Sequence, residues 1–180
     1  MKPFGIVVVS VAATLVVIAA VAAVVIATGA YDVAADAPHS ALAARVIAIA
    51  RERSIDIRAS AIKVPPLGDP KMIAEGAEHY AAMCTDCHLA PGMRENEIRR
   101  GLNPKPPALA SLPPEDPGEQ FWIVTHGLKM TAMPAWGATH SEEEIWNLVA
   151  FLQKLPHLSP AQYRQLTRNA AHHEHTDMKM

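Results

Sequence analysis

Cysteine, aromatic residues and charge are all scarce in this chain of 180 residues. Its two cysteines stand three positions apart and exclude a disulfide framework. Aromatics at 5% are thin for a core that fills itself with its own side chains. The 16 Lys+Arg against 18 Asp+Glu leave a formal charge of −2, so no basic excess points to nucleic acid. Residues of the AVILMFWYC set reach 50%, which excludes a disordered chain, and 15 prolines punctuate it. A cofactor filling the interior reconciles sparse aromatics with abundant proline.

Between Lys2 and Asp32 there is no charge at all. A helix over Ile6–Ile26 is roughly 30 Å long, enough to cross a bilayer. The competing reading is a cleaved leader, whose apolar region runs only about 7–15 residues. Ala35 and Ala37 offer small residues for cleavage, but Pro38 follows them. We therefore read residues 1–30 as an uncleaved transmembrane anchor. Lys2 before the span and Asp32 and Asp36 after it place the N-terminus in the cytoplasm. Arg45, Arg51, Arg53 and Arg58 on the far side weigh the other way.

Residues 31–68 read as a juxtamembrane helix over Ser40–Arg53 followed by a Pro-rich linker ending at Gly68. Leu42, Val46 and Ile49 form one stripe of that helix, which packs as a stalk on the next domain or lies on anionic lipid. Ile55 and Ile57 alternate with Asp56 and Arg58 too briefly for a strand. From Asp69 the pattern is helical. Asp69 caps a helix over Lys71–Met83, and a short one over Glu95–Arg100 stops at Gly101. A third covers Glu119–Thr125, and the Ser141/Glu144 capping box opens a fourth that runs to about Leu155. We take 69–157 as one all-α domain. Residues 158–180 hold a last short helix at Ser159-Pro160 and a His/Met-rich tail.

Cys84-Thr85-Asp86-Cys87-His88 carries the chemistry. A C-x-x-C-H run reads as a c-type haem attachment site. On one helical turn, positions i, i+3 and i+4 face the same way. Two thiols so placed each add across one porphyrin vinyl group, and His88 then points its imidazole at the iron. A thioredoxin-like pair needs a βαβ setting, and a zinc site needs four ligands; neither is visible near the motif. A sixth ligand should be soft and held by a loop, and Lys129–Gly137 offers Met130 and Met133. Pro134 fixes the backbone just after Met133, so Met133 is our choice, with His126 and His140 in reserve.

From Asp69 to Pro156 the sequence resembles a class I monohaem cytochrome c domain of the membrane-anchored bacterial kind. Cys84–His88, Met133-Pro134-Ala135-Trp136, Gly76, Tyr80, Leu148 and Phe151 carry the likeness. It implies an all-α class I cytochrome c fold around one covalent haem c, with the first and last helices crossing at Gly76 and Tyr80. It implies thioethers at Cys84 and Cys87 and axial ligation by His88 and Met133. A proline of Pro106-Pro107 would supply a carbonyl for the His88 ring, which of the two being left open.

Haem is attached outside the cytoplasm in that family, which implies a single-pass protein of the bacterial inner membrane with its haem domain in the periplasm. The expected role is one-electron transport between redox proteins, not enzyme catalysis. Alternatives are a subunit of a respiratory oxidase or dehydrogenase complex, and a haem sensor or peroxidase-like protein in which Met133 detaches. His172, His173, His175, Met178 and Met180 suggest copper or zinc binding by the tail, set against a plain polar end.

Overall fold

The computed structural model describes residues 3–168, and they are all-helical with no strand. The chain divides into two compact units, one up to Ala37 and one from Pro38.

The first unit holds a single helix, α1 (Pro3–Thr28), with a mean hydropathy of 2.9 over its 18-residue apolar window and no buried side chain. It ends in a left-handed glycine: Gly29 has φ +64, its N–H reaches the Ile26 carbonyl and the Ala30 N–H reaches the Val25 carbonyl. Among the described residues, α1 is the one helix long and apolar enough to cross a bilayer.

The second unit holds α2 (Ala41–Ala59), α3 (Pro70–Met83), α4 (Thr85–His88), α5 (Glu97–Arg100), α6 (Pro117–His126), α7 (Glu142–Leu152) and α8 (Pro160–Leu166). The caps account for most starts. Asp69 accepts from the Lys71 N–H with Pro70 leading α3, and Asp116 accepts from the Gly118 and Glu119 N–H groups with Pro117 leading α6. Ser141 with Glu144 and Ser159 with Gln162 close capping boxes on α7 and α8. Asn96, not Glu95, opens α5: its Oδ1 accepts from the Arg99 N–H at 2.8 Å. α7 stops at Leu152, and the chain continues through a short 3-10 turn at Leu155–His157 that accommodates Pro156.

Helix α2 differs from the reading of its sequence. It runs on through Ile55 and Ile57 to Ala59, because Ile55 and Ala59, one turn apart, are buried where α2 meets α6. The Leu42, Val46 and Ile49 stripe is exposed and takes no part in that packing.

The core forms where α3 crosses α7. Gly76 makes the crossing close: a Cβ there would stand 2.0 Å from the Asn147 carbonyl oxygen and 2.9 Å from the Leu148 nitrogen. Beside it the Tyr80 and Phe151 rings lie 5.3 Å apart, both with no exposed surface, and Tyr163 of α8 turns edge-on to Tyr80 at 6.4 Å. Three of the few aromatic residues thus meet in one cluster. Tyr80→Ala and Phe151→Ala are each expected to destabilise the folded domain by about 3–5 kcal/mol. Because the rings touch, the double variant should cost less than the sum in a denaturant titration. Strict additivity would show that the contact carries no coupling.

Candidate functional site

The site starts at the junction of α3 and α4. Cys84 ends α3, and its carbonyl accepts from the N–H of Cys87 at 3.2 Å and of His88 at 2.8 Å. One tight turn therefore holds all three side chains of the motif. Leu89 then reverses the chain at φ +62, a conformation uncommon outside glycine. The buried Tyr80 hydroxyl donates to the Leu89 carbonyl and braces that reversal. Cys84 and Cys87 form no disulfide with each other; as a thiol, Cys84 has its pKa pushed up to about 12 by burial and then by the neighbouring Cys87.

The His88 ring is fixed from behind. Its Nδ1 lies 3.0 Å from the Pro107 carbonyl oxygen, so Pro107, not Pro106, is the acceptor that the sequence leaves open. An Nδ1–H donated to that carbonyl leaves Nε2 with its lone pair free to bind a metal. Burial lowers the pKa of the ring, outweighing the Pro107 hydrogen bond, which favours the neutral form that a metal requires.

The loop carrying Pro107 is clamped in turn. Arg99 donates to the Pro106 carbonyl at 2.8 Å and pairs with Glu95, which also takes Lys105 at 2.7 Å. Asn96 donates to the Asp86 carbonyl at 2.8 Å, tying α5 to the Cys84–His88 turn. Sequence reasoning misses this clamp, whose partners only come together once α4 and α5 are placed.

Met133 approaches from the other loop. Its N–H donates to the Thr131 hydroxyl at 3.0 Å, and its carbonyl accepts from Leu128 at 3.3 Å. Gly127, at φ +63, lets this segment pass: a Cβ there would be 2.6 Å from the Met133 carbonyl oxygen. Met130 sits at φ +60 with 72% of its surface exposed.

Cys84, Cys87, His88 and Met133 all line one cavity of about 510 Å³, within the range of roughly 300–1,000 Å³ of ordinary cofactor pockets. Leu109, Ile123, Val124, Trp136, Leu148 and Leu152 give it apolar walls. Met130, His126 and His140 do not line it. His126 lies by the Trp122 ring, while His140 bonds to the Thr139 hydroxyl at 2.9 Å and packs edge-on to Trp136. A nitrogen donor, a thioether and two thiols around an apolar hollow fit a haem better than a bare ion. Among the described residues no group of three or more His, Cys, Asp or Glu side chains could hold a metal ion, and no strand supports a thioredoxin-like pair. The tail histidines and methionines lie outside the described residues. The cavity wall also includes residues of α2, which the sequence pattern assigns to a stalk; the spacing of Ile55 and Ala59 is the signal that could have found them.

No curated protein and no solved structure matches the chain. Residues 71–152 match the family model described as cytochrome C oxidase, cbb3-type, subunit III. That segment runs from the first turn of α3 to the end of α7 and contains both the Cys84–His88 turn and the Met133 loop. Residues 71–152 are a c-type cytochrome domain.

Proposed function

We propose that the chain is a membrane-tethered carrier of single electrons, with one haem joined to Cys84 and Cys87 and ligated by His88 and Met133. The observation that carries this reading is that His88 and Met133 face one apolar cavity, with the Pro107 carbonyl behind the imidazole. When bound, the haem supplies a one-electron change at its iron. The chain's residues do the rest. Pro107 strengthens His88 as a donor, the Met133 thioether favours the reduced state relative to a second imidazole, and the apolar walls keep water from the metal.

If His88 and Met133 both held the iron, no open coordination position would remain for a substrate, which favours transport over catalysis. Helix α1 is read as the tether, with the haem domain in the periplasm. Segment 70–157 carries eleven acids and seven bases, which suits a basic docking partner. Electron-transfer rates should then fall as salt rises.

A second reading, a fixed subunit of an oxidase complex, is favoured by the description of the matching family model. Gentle detergent extraction separates the two: a free carrier migrates alone on a native gel, and a subunit migrates with its complex. The test of the carrier itself is a redox titration with carbon monoxide present. A single one-electron transition and no carbon monoxide complex are expected. Rapid binding by the reduced protein would instead support a sensor or peroxidase-like role.

A further inference from the structure

The family match begins at residue 71, yet the cavity wall is completed by α2, through Arg51, Glu52, Ile55 and Asp56. That wall is firmly seated. Ile55 and Ala59 are 7% and 6% exposed, and a Cβ on Gly118, at the start of α6, would lie 3.5 Å from the Ala59 carbonyl oxygen.

A haem joined to Cys84 and Cys87 through its vinyl-bearing pyrroles has its two propionates on the other pyrroles, at the opposite edge of the ring. Away from α3 and α4, the cavity lining offers two long-chain cations, Arg51 and Lys105. Lys105 is already paired with Glu95 at 2.7 Å. Among the described residues, Arg51 is ion-paired with its neighbour Glu52 alone, at 3.4 Å, with 41% of its side chain exposed. Adjacent residues on a helix do not face each other, so this contact leaves most of the guanidinium fork free.

The rest of the rim is acidic. Glu52, Asp56, Glu115 and Glu119 line the same cavity, and Asp56 is held by Arg53 at 3.1 Å. Burial, and then Asp56, Asp116 and Glu115, raise the pKa of Glu119, so negative charge is already crowded there. Two further carboxylates at this edge are repelled unless a cation faces them.

We infer that Arg51 binds a haem propionate, making α2 a haem-binding element outside the cytochrome domain proper. The inference rests on the haem reading above. A planar guanidinium takes a carboxylate through two parallel hydrogen bonds, a geometry Lys105 lacks. Bound there, its positive charge disfavours the oxidised iron and holds the potential up.

The test is the midpoint potential of the full-length, haem-loaded chain in detergent. Arg51→Gln should lower it, whereas Arg45→Gln, on the same helix but outside the cavity lining, should leave it unchanged. Should Arg51→Gln fail to accumulate, a structure of the haem-loaded parent decides, with a propionate oxygen expected within hydrogen-bonding distance of the Arg51 guanidinium. Absence of covalent haem in the parent would defeat the functional reading itself. A haem-loaded parent whose potential ignores Arg51→Gln, or whose propionates are held without Arg51, overturns this inference alone.

Discussion

Replacing Cys84 and Cys87 together with alanine is expected to yield a chain with no covalent haem and no stable second unit. The cavity they border has a volume of about 510 Å³. Its walls include Leu109, Ile123, Val124, Leu148 and Leu152, so without the cofactor this apolar surface is left to water and the burial that would hold the helices together is lost. Of the aromatic cluster Tyr80, Phe151 and Tyr163, Tyr80 borders the cavity while Phe151 and Tyr163 are not part of its lining. Limited proteolysis and circular dichroism of the double variant should show rapid cleavage and loss of helix signal. A protease-resistant, fully helical variant without haem would mean that the cofactor is no part of the core.

Met133→Ala is expected to open the sixth position of the iron, and Met130→Ala is not. Met133 lines the cavity, and its loop is pinned by Thr131, Leu128 and Gly127. Met130 is 72% exposed, so truncating it should change stability by no more than about 0.5 kcal/mol. Loss of the thioether should lower the potential, let the reduced protein bind carbon monoxide and abolish the weak far-red sulfur-to-iron band. Survival of that band in Met133→Ala, with its loss in Met130→Ala, would reverse the assignment. Its absence from the parent would direct attention to His126 or His140, which would have to leave Trp122 or Thr139 to reach the iron.

Features decided within a few residues of each other are legible in the amino-acid sequence. Asp69, Ser141 and Ser159 cap the helices they precede, because a side-chain oxygen and the N–H groups it satisfies are never more than three residues apart. The C-x-x-C-H spacing is of the same kind, a single turn whose geometry follows from the helix. Gly76 and Tyr80 are legible through resemblance, and the crossing at Asn147 gives the glycine its reason.

Features decided by distant partners are not legible there. The four-residue spacing of Ile55 and Ala59 hints at a longer α2, but the burial that fixes its last turns is against α6, far along the chain, and Asp56 and Arg58 between them mask the pattern. The choice between Pro106 and Pro107 depends on Arg99 and Lys105 converging on Glu95 and turning one carbonyl to Arg99 and the next to His88. No local propensity encodes that. The role of Arg51 is hidden for the same reason, since it lies outside the segment that carries the family pattern.

The most direct measurement of the central claim is the intact mass of the purified full-length chain under denaturing conditions. Attachment through Cys84 and Cys87 predicts a mass greater than that of the polypeptide by one haem, with neither thiol open to alkylation. A mass equal to that of the bare polypeptide, with both cysteines alkylated, would contradict it.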